Sequence, residues 1–135
     1  MPTGYSETPL AKKLNLRDDQ RVWFHAMPES VQDEIGEYAL DLIFVADPAE
    51  GIDAAHIFVT TREELSSLLA TLRNQIATDG HIWVSWPKQA SKVPTDVTQD
   101  TIREVALPTG LVDTKVCAVD ETWSGLKLVI RKDLR

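Results

Sequence analysis

Short unbroken apolar runs alternate along this chain with longer stretches in which apolar residues recur every three or four positions. The runs at 21–26, 41–46, 55–59, 81–86, 112–119 and 126–131 read as buried strands, because each is four to eight residues long and bounded by turn-forming residues. Asp18-Asp19 and Pro28 bracket the first, Asp47-Pro48 stops the second, and a loop through Gly51 leads into the third. Helical spacing is clearest after Thr61, where Leu65, Leu68, Leu69, Leu72 and Ile76 share one face. Thr61 with Glu64 three residues later predicts a capping box at its start, and Asp79-Gly80 predicts its end. Thr8-Pro9 predicts a capped short helix through Leu10 and Leu14. Pro28 opens a second helix bearing Val31, Ile35 and Tyr38, and Thr98 opens a fourth through Ile102 and Val105, ending near Pro108-Thr109-Gly110.

Helices falling between apolar strands predict an α/β protein of three layers. The expected architecture is Rossmann-like, a mostly parallel sheet flanked by helices. The turn at 120–125 is short enough to make the last two strands an antiparallel C-terminal hairpin. At 135 residues and 43% hydrophobic content, one domain over 1–135 with a loose tail at 1–7 is the expected organisation.

Charge and cysteine content narrow the function classes. A net charge of −7 argues against a nucleic-acid binder, which needs a basic face to displace phosphate counterions. Local lysines still leave an anionic small molecule open as a ligand, since net charge sets steering and not each contact. Cys117 stands alone, so no internal disulfide forms, and a reducing compartment is the simplest expectation. The first residues, Met-Pro-Thr-Gly-Tyr, lack the basic flank and apolar core of a secretory signal, and no apolar run approaches the ~20 residues of a membrane span. A soluble, cytoplasmic protein with no membrane partner is therefore expected.

Ligands of doubly wound sheets lie beyond the carboxyl ends of the parallel strands. Those ends carry His25 and Met27, Asp47, the segment 60–62, the segment 86–92, and the hairpin turn 120–124. The candidate ligand-binding residues are Trp86, Lys88, Lys92, Thr95, Asp96, Asp120, Glu121, Trp123 and Ser124. Tryptophans supply flat apolar walls, lysines cation and the acids carboxylate, the usual composition of a small-molecule pocket. The competing reading makes the tryptophans core caps and the charges a solvated salt-bridge network; Pro94-Thr95-Asp96 before Thr98 then reads as turn chemistry. His25, His56 and His81 lack cysteine or carboxylate neighbours at ligand spacing and predict no metal site. A Gly-x-Ser-x-Gly elbow and a P-loop are both missing, Ser85 falls inside a strand, and Cys117 sits mid-strand among apolar neighbours.

The order of elements from Asp53 onward resembles the second half of the Rossmann-like methyltransferase fold. The pattern is Asp53 before Ile57-Phe58-Val59, then a leucine-rich helix, Asp79-Gly80 and a strand, and a helix ending at Thr109-Gly110-Leu111 before the closing hairpin. In that family a glycine-rich turn after the first strand admits the carboxypropyl group of S-adenosylmethionine. Here that turn reads His25-Ala26-Met27-Pro28, so no cofactor is expected; the ribose-binding acid would fall on Asp47. The whole chain also resembles a family of uncharacterised bacterial proteins, domain of unknown function 3052. The carrying blocks are Thr8-Pro9-Leu10-Ala11-Lys12-Lys13-Leu14, Trp86-Pro87-Lys88 and the segment from Val116 to Lys127. That resemblance implies no activity. The leading expectation is a non-catalytic module that binds a small ligand or a protein partner. The alternatives are a divergent transferase with Lys88 or Asp120 as acid or base, and a self-associating structural protein pairing through its hairpin.

Overall fold

The computed structural model describes residues 8–135; the expected tail at 1–7 lies outside the described residues. Strands β1 (Arg21–His25), β2 (Ile43–Phe44), β3 (Ile52–Phe58), β4 (Ile76–Pro87), β5 (Leu111–Ala118) and β6 (Trp123–Ile130) form one sheet in the order β2-β1-β3-β4-β6-β5. β1 runs parallel to β2 and β3, β3 parallel to β4, and β6 antiparallel to both β4 and β5. Helices α3 (Arg62–Leu72) and α4 (Gln99–Ala106) pack on one face, and α1 (Leu10–Lys13) and α2 (Glu29–Gly36) on the other. This is the three-layer, mostly parallel architecture with an antiparallel C-terminal hairpin that the hydrophobic pattern predicts.

The strand alternation explains the two cores. Ala55, Ile57 and Val59 with Ile82 and Val84 face Leu65, Leu69, Leu72, Ile102 and Ala106. Ala54, Phe58 and Trp83 face Leu10, Leu14, Val31 and Ile35. Period-two side chains thus serve both layers, as parallel strands buried on both faces require. Trp83, 1% exposed, donates its indole N–H to the Leu14 carbonyl at 2.8 Å and so ties α1 to the sheet.

Several boundaries differ from expectation, each for a local reason. The run at 41–46 is not a buried strand: β2 is an edge of two residues, with Ile43 44% and Phe44 67% exposed. Among the described residues no strand pairs with its outer side, so an apolar run alone did not secure burial. α3 stops at Leu72, because Ile76 already pairs with Ile52 and Gln75 accepts from the Ile52 amide at 3.4 Å. Asp79-Gly80 therefore falls inside β4, in an irregularity where the register passes from Ile52–Ile76 to Ala54–His81. Pro9, not Thr8, takes the N-cap position of α1, since its ψ of 144° leaves it outside the helix. α2 ends at Gly36, which leaves Tyr38 beyond it and exposed. Thr98 caps α4 as expected, with Thr101 completing the box.

Two glycines sit where the sheet would crowd a Cβ. At Gly125, a Cβ would lie 3.1 Å from the Trp83 ring and 3.2 Å from Val119. At Gly80 it would run into the Asp53 carbonyl oxygen and come within 2.8 Å of Ile76 Cγ1. Backbone yields less than a side-chain end, so Gly80→Ala should destabilise more than Gly125→Ala, the latter by about 1–3 kcal/mol. Urea denaturation of the two variants checks the ranking; an unchanged midpoint for Gly80→Ala would contradict the packing described for β4.

Candidate functional site

The carboxyl ends of β4 and the hairpin meet at one rim. Trp86 pairs with Ser124 and Pro87 with Trp123 across β4 and β6. Beyond them, the Lys88 amide donates to the Thr122 carbonyl at 2.7 Å and its ammonium to the Asp120 carbonyl at 2.6 Å. Asp120 turns its carboxylate inward, one oxygen accepting from the Thr122 and Trp123 amides at 2.8 Å each. This is an Asx-type turn, which fixes the hairpin tip without a glycine at its start. Trp123 meets Phe58 edge to face at 5.0 Å, and Trp86 packs against the α3–α4 core.

The remaining candidates lie at the end of β3. Thr95 donates to the Thr60 carbonyl at 2.7 Å, and the Asp96 carboxylate accepts from the Arg62 amide at 2.7 Å, in the first turn of α3. Lys92, in a left-handed conformation at φ 60°, and Glu121 are both exposed. The structure therefore brings Trp86, Lys88, Asp120, Trp123 and Ser124 into direct contact, and ties Thr95 and Asp96 to the neighbouring strand end. The ion pairs among the described residues are His25–Glu64, Arg62–Glu104, Arg103–Asp100, Arg103–Asp113 and Arg131–Asp133, so Lys88, Lys92, Asp120 and Glu121 form no salt-bridge network with one another. Backbone partners, which sequence does not display, take the place of that network.

Strand order reverses between β1 and β3, the position where doubly wound sheets open a crevice. Here His25 Nε2 at the end of β1 lies 3.0 Å from the Glu64 carboxylate in the first turn of α3. Thr61 accepts from the Glu64 amide, as a cap should, but the Glu64 side chain reaches across to His25 instead of returning to Thr61. Of the β1–α2 turn, Ala26 stands at φ 54°, Met27 is buried in the core beside Val31 and Val119, and Pro28 is the N-cap of α2. Asp47, past the end of β2, caps its own short turn by accepting from the Ala49 amide at 2.9 Å.

Two histidines are buried in the sheet. His56 is hydrogen-bonded to Ser85 at 2.6 Å on the adjacent strand and stacks on Phe58 at 4.5 Å. Burial, with the nearby His81, lowers its pKa to about 3. His81 is lowered to about 4 by burial and by the charges of Lys127 and Arg17, against the opposing effect of a hydrogen bond with the Leu14 backbone. Burial also raises the Cys117 thiol, which keeps it protonated and unreactive. The periodicity placed these side chains on strands but carried no signal for their pairing. It also missed the polar cavity at the amino ends of the strands, where Lys12, Asn15 and Arg17 of one segment meet His81 and Lys127 of others.

The fold as described is similar to that of solved methyltransferases. The chain aligns with ribosomal protein L11 methylase from Lactobacillus delbrueckii subsp. bulgaricus at a TM-score of 0.56 and 12% identity, covering 90% of this chain and 77% of that one. Magnesium protoporphyrin IX methyltransferase from Synechocystis PCC 6803, solved with bound SAM, gives 0.57 and 14% identity over 90% and 74%. Aeropyrum pernix fibrillarin with natively bound S-adenosyl-L-methionine gives 0.53 and 12% over 93% and 70%. At such identities the likeness shows the fold alone. Comparison with the curated protein sequences gives no match. The chain belongs to the family described as protein of unknown function DUF3052, which it matches over residues 11–132.

The β1–α2 turn, His25-Ala26-Met27-Pro28, carries no glycine. Pro28, the N-cap of α2, has no N–H of its own; its carbonyl accepts from the Val31 and Gln32 amides, and no side chain caps this helix start. No helix among the described residues is long and apolar enough to cross a membrane.

The buried histidines set a pH dependence with a definite sign. Both have folded pKa values below the ordinary 6.5, so the unfolded chain takes up their protons first as pH falls. Their contribution is complete above about pH 6.5 and is lost progressively toward pH 4. Chemical denaturation should show stability falling on the order of 2–4 kcal/mol from pH 7 to pH 5. The slope should roughly halve in His56→Gln; an equal slope in that variant would show that His56 is not held neutral.

Proposed function

We propose that this protein is a non-catalytic module that binds a small ligand, built on a methyltransferase-like scaffold that no longer admits the adenosyl cofactor. The observation that carries the reading is the β1–α2 turn. Ala26, Met27 and Pro28 stand where a close backbone approach is needed, and Met27 is part of the core beneath it. The His25–Glu64 contact, which links the two sides of the switch point, supports the same reading. At the rim, the groups best suited to acid or base chemistry are engaged: the Lys88 ammonium by a carbonyl and one Asp120 oxygen by two amides. A general acid or base needs a proton or lone pair within reach of substrate, and these bonds fix both half-buried side chains on the hairpin turn.

The divergent-transferase alternative rests on the scaffold, which the protein shares with enzymes solved with the methyl donor bound. Calorimetric titration with S-adenosylmethionine and S-adenosylhomocysteine separates the two. The expected result is no saturable heat at millimolar ligand and no change in melting temperature, because a ligand that binds only the native state raises it by mass action. Saturable binding with one-to-one stoichiometry would overturn the module reading in favour of the transferase.

A further inference from the structure

A cavity of about 390 Å³ opens at the amino end of β4, on the side of the sheet away from the carboxyl rim. Three cations from two segments line it: Lys12 in the last turn of α1 and Arg17 in the loop that follows, and Lys127 in β6. None of the three is in an ion pair among the described residues. Asp79 supplies carboxylate at the cavity wall. In a chain of net charge −7, unpaired like charges gathered from remote positions are not a product of composition. Their proximity carries a cost, visible at Lys127, whose ammonium is pushed down by burial and by Lys115 and Arg17.

A second observation comes from neutral groups on the same wall. Asn15 Oδ1 and His81 Nε2 are buried without a hydrogen-bond partner among the described residues, and His81 is only 6% exposed. Orphaned buried acceptors are uncommon in folded proteins and call for an explanation. Asn15 is held at φ 61°, so its side chain is presented by a constrained turn. The wall thus carries cations for an anion and, just beneath its surface, two acceptors without a donor. The volume falls within the ~300–1,000 Å³ range of small-molecule sites and exceeds what one inorganic ion fills.

We propose that this cavity binds a phosphate monoester of a small polyhydroxylated molecule. Lys12, Arg17 and Lys127 hold the phosphate, and His81 Nε2, Asn15 Oδ1 and Asp79 accept from its hydroxyls. Arg17 suits this task because its planar guanidinium presents paired donors to phosphate oxygens. The inference rests on the reading of the protein as a ligand-binding module, and gives that module its site and ligand class.

The test is calorimetry of the full chain with glucose 6-phosphate, inorganic phosphate and glucose, at an ionic strength fixed with chloride. Glucose 6-phosphate should bind saturably, inorganic phosphate more weakly and glucose not at all. Lys12 and Arg17 are exposed, so Lys12→Ala with Arg17→Ala should keep its melting temperature while losing affinity by about tenfold or more per charge-assisted contact. His81→Gln should weaken the ester and leave inorganic phosphate unchanged. Absence of saturable binding by both phosphate compounds, or equal affinity in the double variant, overturns the site. S-adenosylmethionine binding that persists in the double variant would instead overturn the module reading and leave this cavity standing.

Discussion

The rest of the structure depends on the burial of β3 and β4 on both faces at once. Parallel strands covered by helices on each side have little solvent to satisfy a polar side chain, so such a group is costly unless it finds a partner inside. His56 and Ser85 answer that demand with each other across the strand pair. Trp83 answers it through the Leu14 carbonyl, which also fixes α1, four residues long and far too short to persist alone. Gly125 belongs to the same constraint, because the Trp83 ring occupies the space that a side chain on β6 would need. One buried aromatic residue thus sets the position of a helix and the identity of a residue on the neighbouring strand.

The same burial divides the molecule's two ends. At the carboxyl edge, the loop after β4 bonds to the hairpin turn through Lys88 and to the end of β3 through Thr95 and Asp96, while Asp120 fixes the turn itself. That edge is where doubly wound sheets hold their ligands, and here Lys88, Thr95, Asp96 and Asp120 bond to loop backbone. At the amino edge, the irregularity in β4 around Gly80 pulls the strand away from regular pairing. His81, just inside the sheet, then stands at the wall of a cavity flanked by the α1 segment and β6. A shared scaffold can therefore keep its topology while the chemistry at each end is rebuilt from side chains.

Legibility in the sequence followed the range of the interactions involved. The type and order of the main elements were readable, because period-two and helical spacing report burial directly: the leucines of α3 and the Ile57-Phe58-Val59 run are examples. The glycine-free turn at His25-Ala26-Met27-Pro28 was also readable, since it depends on residue type at one place. Boundaries were not, where a distant strand decided them. Ile76 has the spacing of a helix position and joins the sheet because Ile52 is there to pair with it.

The sequence by itself determined the layered α/β fold, the parallel sheet closed by a hairpin, and which residues stand at the strand ends. Each of these follows from local composition and periodicity. Only the tertiary structure decided what those residues touch: that Glu64 turns to His25, that Lys88 meets a carbonyl and not a carboxylate, and that Lys12, Arg17 and Lys127 share one wall. The physical reason is that hydrogen-bond partners and charge clusters are set by three-dimensional packing between segments up to a hundred residues apart, and no local pattern records that distance.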